Sequence, residues 1–574
     1  MNYDFKPYPH EAKKYAAWVP AAEAAAQIER HPVIIAGGGP VGLAIALGLA
    51  RHGVRSIVLE ADDGVCTGSR AICISRRSLE IIARLGAVDG FLEKGLPWTG
   101  GRSFYRDAEV LHFTMPHDQD QQYPPMVNLA QYHIEQFLLE AAEKQAGLIE
   151  IRWQNSLTGV QQHGNGATLS VATPDGDYVM EAGWLVAADG GRSFVREALG
   201  LALKGTSYEG RYVIVDILLN SSRPAERLAY FDPPSNPGST VLVHKQPDNV
   251  WRIDYQLQED EDAEQAVRPE NVIPRVQSLL EMMGESSDWS PVWITVYKAH
   301  ALTLDQYRHG RVLFAGDAAH LVPIFGVRGA NSGIDDADNL AWKLASAVKG
   351  LAADDLLDTY SQERVQAAHE NLRQGIKSTE FMAPPSFAFE LMRTAVLGLA
   401  ERHPAVRPLI NPRQTSAIRY LDSALNVDVA DEAGFDAGPP PGATLPEAPL
   451  SVVDGDMQEE TYVTRLLGPW ITLLYFDRDG TLPAAATALT NELVRTGIQA
   501  RFIPVAQTRP AGEGYTAWDH TGRLFPLFGA AVGTLYLVRP DGHVMARWRQ
   551  FNPAQVLSAV RRAFPALAAE GDHS

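Results

Sequence analysis

Short unbroken apolar runs, each closed by a glycine or an acid, recur along the chain. "VIIA" (33–36) stops on "GGGPVG", "RSIVLE" (55–60) stops on Glu60, "WLVA" (184–187) stops before Ala188-Asp189-Gly190, and "VLFA" (312–315) stops on Gly316-Asp317. Runs of this length with no polar alternation predict strands covered on both faces, as in a parallel sheet flanked by helices. Between them the period lengthens. "PVGLAIALGLARHG" (40–53) predicts a helix halted at Gly53, and Ile334, Ala337, Ala341, Leu344 and Val348 predict another after the loop "FGVRGANSG". Over 205–305 the period drops to two. Trp251, Ile253, Tyr255 and Leu257 alternate with Arg252, Asp254, Gln256 and Gln258, and "QPDN" separates this run from "STVLVHK". That pattern predicts a half-buried antiparallel hairpin.

The fold class that follows is α/β. A Rossmann-like domain over 31–204 and 300–375 is interrupted by an antiparallel sheet over 205–299. A helical connection (376–435) leads into the Pro/Gly-rich "GFDAGPPPGATLPEAPL", and 436–574 alternates strands such as "WITLLYF" and "QARFIPV" with helices at 483–496 and 553–564. Residues 1–30, rich in alanine and charge, predict one helix.

Composition narrows the function. At 574 residues the chain exceeds one core. A net charge of -19 argues against nucleic acid and against anionic membrane surfaces. No apolar stretch reaches the ~20 residues of a membrane span, and no signal core precedes residue 30. The two cysteines, Cys66 and Cys73, fit a reducing, cytoplasmic setting and exclude a disulfide framework. No metal-binding motif is present.

Gly37, Gly39 and Gly42 stand at G-x-G-x-x-G spacing between a strand and a helix that opens on Pro40-Val41, and Glu60 closes the next strand. Gly37 permits the tight turn, Gly39 the approach of a pyrophosphate to the helix N-terminus, and Gly42 close helix–strand packing; Glu60 can accept hydrogen bonds from a ribose. Asp189 and Asp317 close two further strands. Ligands of open α/β sheets lie beyond the carboxyl ends of strands, so three such acids suggest one extended dinucleotide across that edge.

These ordered motifs, with "SRAICISRRSLEIIARLG" (69–86) and "NLAQYHIEQFLLEAA" (128–142), resemble the FAD-dependent aromatic-ring hydroxylases, single-component flavoprotein monooxygenases of the phenol and para-hydroxybenzoate hydroxylase type. The resemblance implies that Gly37, Gly39, Pro40, Val41, Gly42, Glu60 and Ala61 hold the ADP half of FAD. It implies that Arg70, Gln131, Leu157 and Asp189 add cofactor contacts, and that Gly316, Asp317, Pro323, Gly329, Ala330 and Asn331 surround the ribityl chain and ring. It further implies non-covalent FAD, NAD(P)H as a transient co-substrate without its own Rossmann domain, and O2. A phenolic or related heteroaromatic compound would be hydroxylated through a flavin C4a-hydroperoxide. The C-terminal part resembles a thioredoxin-like domain but has no C-x-x-C, which leaves it packing and support of a homo-oligomer. Substrate candidates on the inserted sheet and flavin loop are Tyr230, His244, Arg252, Tyr255 and Phe325. The family's phenol-ionising acid corresponds to Ile72 here, so His244 or a tyrosine such as Tyr255 is the expected base. Arg328, between two loop glycines, is expected beside the flavin pyrimidine edge. Two alternatives use the same scaffold: a flavin halogenase, whose W-x-W-x-I-P signature is absent, and a non-catalytic FAD-fold binding protein.

Overall fold

The computed structural model describes residues 4–20, 28–68, 71–258, 260–410, 414–427, 434–511 and 514–565. Its first sheet runs in the order 308–309, 312–314, 176–187, 29–36, 56–60, 149–153, with the meander 156–173 attached to 176–187. The four central pairings are parallel. Ala36 sits between Leu59 and Ala187, and Ala187 pairs with Phe314, so the carboxyl ends of these strands are level. Helices Pro40–Arg51 and Gly329–Val348 cover the sheet. They cross at Gly48, where a methyl group would stand 2.6 Å from the Ala341 Cβ.

The second sheet runs 320–321, 289–303, 204–219, 250–256, 240–245, 227–231, 100–105, 108–114. Strand Arg227–Phe231 pairs in parallel with Gly101–Tyr105, which brings in a hairpin from far upstream of the expected insert. Asp248 and Asn249, both left-handed at φ 60° and 58°, close the hairpin at "QPDN". The strand beyond that turn is not half-buried. Trp251, Ile253 and Tyr255 pack with Val272, Val276 and Leu279 of helix Pro269–Met283, and Arg252 and Asp254 on the other face are also buried, at 2% and 9% exposure. Polar alternation here marks an internal polar surface instead of a solvated one.

The third sheet, in the order 457–462, 449–454, 516–518, 500–506, 471–477, 535–538, 544–548, mixes parallel and antiparallel strands. Its 471–477 and 500–506 strands are parallel, and 535–548 forms an antiparallel hairpin. The described part of the N-terminal segment, 4–20, is extended, not helical. Pro7 and Pro9 lack the N–H groups a helix needs, and aromatic anchors hold the segment to the surface. Among the described residues no helix is long and apolar enough to cross a membrane.

Candidate active site

The glycine-rich turn shapes a cradle. Gly37 has φ 102°, and a Cβ there would lie 2.4 Å from the Ala188 carbonyl oxygen. A Cβ on Gly42 would lie 2.0 Å from the Gly37 oxygen, whereas nothing approaches Gly39 within 4 Å. Helix Pro40–Arg51 begins at Gly39 with no side-chain cap, leaving its first N–H groups for an anion. Glu60 accepts from Gly38 N at 2.7 Å and Asp62 N at 2.9 Å; burial nonetheless pushes its carboxyl up. Ala61 is exposed just beyond it. Val41 reaches across to the third motif: its Cγ2 lies 2.9 Å from where a Gly316 Cβ would be and 2.6 Å from a Gly333 Cβ.

Asp189 spends one oxygen on the Val195 N–H, capping helix Phe194–Ala198 with Ser193. Its Oδ1 is buried with no donor in hydrogen-bonding geometry. Arg196 is held by the Ala318 and Gly191 carbonyls. Asp317 stands exposed at its strand end. The adjoining Gly316, at φ 62°, donates its N–H at 2.9 Å to Asp336, a residue the motif reading missed. Asp336 also meets His320 Nε2 at 2.7 Å and Arg364 Nε at 2.5 Å; burial alone would raise its carboxyl, but Arg364 and His320 hold it below the usual range.

The other expected contacts are placed as follows. Asn331 donates to the Cys73 and Val327 carbonyls and accepts from Ser75 N and Ser78 Oγ, pinning the flavin loop to strand Cys73–Ser75. Gln131 accepts from Ala71 N and donates to Glu135. Leu157 is half-buried against the main core, Pro323 is buried against Gly375, and Gly329 and Ala330 open the helix Gly329–Val348. Arg70 lies outside the described residues. The Arg328 guanidinium is buried, donates to Asn371 Oδ1 and the Gln414 carbonyl at 3.1 Å each, and so ties the loop to helix Leu356–Met382 and to residue 414.

The pleat divides the substrate candidates. Tyr230 stacks on Phe104 at 4.8 Å and Tyr255 lies under Arg275 at 5.2 Å, both on the face that packs against helix Pro269–Met283. They lie on the face opposite His244 and Arg252, because residues of odd and even position on a strand take opposite faces. His244 and Arg252 take the other face, in a cross-strand row Arg227–His244–Arg252–Asp216. This face looks toward the flavin loop: Ala229, Leu242 and Tyr212 on it share a cluster with Phe325, whose ring meets Tyr212 edge-on at 5.4 Å. Arg252 forms a two-pronged ion pair with Asp216, at 2.8 Å on both arms. Among the described residues, four buried polar atoms of this face have no partner: Tyr212 OH, Arg227 Nη1, His244 Nδ1 and Asp254 Oδ1. Burial, then Arg227 and Arg252, lower His244 to about 3, whereas burial raises Asp254 to about 7 against the pull of both arginines.

A cradle that tolerates no Cβ at Gly37 or Gly42, two uncapped helix starts and an orphaned Asp189 oxygen along one sheet edge fit FAD. Residues 30–375 match the family described as FAD binding domain. A 6-methylpretetramide 4-monooxygenase from Streptomyces rimosus is 30% identical over 535 residues, covering 90% of this chain and 90% of that protein. A 3-(3-hydroxy-phenyl)propionate/3-hydroxycinnamic acid hydroxylase from Mycolicibacterium smegmatis is 28% identical over 519 residues, 89% of each. Aklavinone-11 hydroxylase, solved with FAD and aklavinone, superposes with a TM-score of 0.75 at 25% identity over 94% of this chain and 100% of that one. The flavin-dependent monooxygenase PieE, solved with FAD and substrate, shares the fold with a TM-score of 0.77 at 24% identity over 94% and 98%. The chain belongs to this FAD-binding-domain family, among the single-component FAD-dependent aromatic hydroxylases.

Proposed function

We propose that the protein is a cytoplasmic NAD(P)H- and O2-dependent monooxygenase that hydroxylates a phenolic or related heteroaromatic ring held between the flavin loop and the Arg227–His244–Arg252 face of the second sheet. The observation that carries this is the set of four buried polar atoms on that face without a partner among the described residues, one of them on Tyr212, whose ring meets Phe325. Buried polar groups without partners are rare, and a row of them is expected where a ligand supplies the missing partners. Relatives named for hydroxylating 3-(3-hydroxy-phenyl)propionate and 6-methylpretetramide support a hydroxylated aromatic substrate.

Bound FAD supplies hydride acceptance and oxygen activation; Gly37–Gly42, Glu60, Asp189 and Asp317 would hold it. The sheet residues prepare the ring. His244 is kept neutral between two guanidiniums, so its Nδ1 accepts a hydrogen bond from a ring hydroxyl without retaining the proton. The same guanidiniums favour the ionised oxygen, which makes the ring more nucleophilic. Asp254, poised near neutrality on this face, takes the proton in place of the acid missing at Ile72. Phe325 and Tyr212 close the apolar side and exclude water. Neither cysteine is in a disulfide, which fits the cytoplasm. NAD(P)H binds transiently, since one glycine-rich fingerprint is present. The test is a panel of phenols screened for stimulation of NAD(P)H oxidation, with products identified by mass. Ring hydroxylation supports the assignment; a halogenated product, or a flavoprotein that no aromatic stimulates, overturns it.

A further inference from the structure

The extended N-terminal segment joins the two halves of the site. On the nucleotide side Lys14 bridges Gly64, Tyr15 N donates to the Asp63 carbonyl at 2.8 Å, and Trp18 lies under the Arg152 guanidinium at 3.5 Å. These contacts reach the loop that follows Glu60. A Cβ on Gly64 would stand 2.5 Å from the Lys13 carbonyl, so the segment is closely seated. Midway, the His10 ring stacks on Tyr132 at 4.7 Å, one residue past Gln131. On the other side Lys6 N donates to the Pro291 carbonyl at 2.9 Å, and Tyr8 OH donates to Asp216 Oδ2 at 2.5 Å. Asp216 is 1% exposed and grips both arms of Arg252.

We propose that residues 4–18 form a wall of the substrate chamber and that Tyr8 is a positioning residue which fixes Arg252 through Asp216. The inference rests on the assignment of the Arg227–His244–Arg252 face to substrate. An O–H to carboxylate bond at this distance is charge-assisted and strong. It sits on the oxygen that also receives Arg252 Nη2. Removing it leaves that oxygen one donor short and lets the carboxylate rotate with the guanidinium attached. Removing the segment also uncovers Asp216 and admits water beside the ring, where oxygen activation then ends in hydrogen peroxide.

The test compares wild type, Tyr8→Phe, deletion of residues 1–10, and Lys204→Ala as a control in an exposed ion pair outside the segment, all as holoenzyme. Tyr8→Phe keeps the ring packing and removes only the donor, so it remains informative where the deletion does not fold. We expect unchanged FAD content, KM for the aromatic substrate raised about ten-fold with kcat changed less than two-fold, and product per NAD(P)H falling below half with peroxide making up the difference. Asp216→Asn should reproduce the effect and not add to it. Substrate should also slow backbone amide exchange at residues 5–10 of wild type, independently of turnover. KM and product yield unchanged in Tyr8→Phe overturn the proposal while the proposed activity stands. A wild type that hydroxylates no aromatic overturns the activity itself.

Discussion

Arg539→Met should unseat the third sheet from the FAD-binding body. Arg539, in the turn between strands 535–538 and 544–548, sends Nη1 and Nη2 to the two Glu363 oxygens at 2.7 and 3.0 Å and Nε to Asp541 at 3.0 Å. Glu363 also takes Lys343 Nζ at 2.7 Å, Asn339 Nδ2 at 2.7 Å and Ser423 Oγ at 2.5 Å. All four charged groups are at most 1% exposed, and they balance as two cations against two anions. Burial would raise the Glu363 carboxyl, but Arg539 and Lys343 hold it well below the usual range. Losing the arginine leaves two buried carboxylates facing one ammonium, a change that typically costs about 3–5 kcal/mol. Each kcal/mol moves the melting temperature of a 150–250-residue unit by about 2–4 °C, so the drop should be roughly 6–20 °C. The assay is thermal release of FAD fluorescence at a fixed scan rate, since unfolding of so large a chain is expected to be irreversible. The double variant Glu363→Gln/Arg539→Met leaves Lys343 opposite Asp541 and should recover at least half of the loss. A drop under about 2 °C, or no recovery in the double variant, would refute the reasoning.

Gly37→Ala should abolish FAD retention, because φ 102° and a 2.4 Å approach to the Ala188 oxygen leave no room for a methyl group; a yellow holoprotein at wild-type stoichiometry contradicts this. Removing residues 436–574 should yield insoluble or FAD-free protein, since it strips Arg539 from buried Glu363 and Lys343; a stable, flavin-loaded truncate argues against the coupling. Arg328→Gln should cost about 1–3 kcal/mol of stability through its bonds to Asn371 and Gln414 and leave the flavin potential in place; a shift of about 30 mV would put the guanidinium on the flavin after all. Asp254, raised to about 7 when folded and near 3.9 unfolded, holds a proton between those values that the unfolded chain has released. Substrate-free stability should therefore fall as pH rises from about 4 to about 7, and Asp254→Asn should flatten that fall in urea melts; an unchanged slope refutes it.

What the sequence disclosed was local. Gly37, Gly39 and Gly42, and the acids at strand ends, advertise themselves because one short segment carries both the strand and the residue that ends it. The partners of those motifs did not, because they come from distant segments. Asp336, Asn339 and Lys343 form a polar stripe at helical spacing that reads as a solvated face until Arg364, Glu363 and Arg539 arrive from elsewhere. Alternation in 250–256 showed two faces but not that both are buried, so Tyr255 and Arg252 looked like equal candidates until helix Pro269–Met283 claimed the tyrosine side. Arg328 follows Val327, which lies in the left-handed region at φ 59°, and bonds Asn371, a partner from a distant helix that the loop's own sequence does not announce. Alanine and charge suggested a helix over 1–30, of which 1–3 and 21–27 lie outside the described residues; over 4–20, Pro7, Pro9 and the rings of Tyr8, His10, Tyr15 and Trp18 were the stronger signal for an anchored extended segment.

The most direct test of the central claim is isotopic. The holoenzyme is given NAD(P)H, labelled dioxygen and the phenol that most stimulates NAD(P)H oxidation, with halide present, and the product is analysed by mass. The account predicts a ring-hydroxylated product carrying a single oxygen atom from dioxygen, and loss of that product in the Asp254→Asn variant with FAD still bound. A product whose new oxygen comes from water, or a halogenated ring, would contradict it.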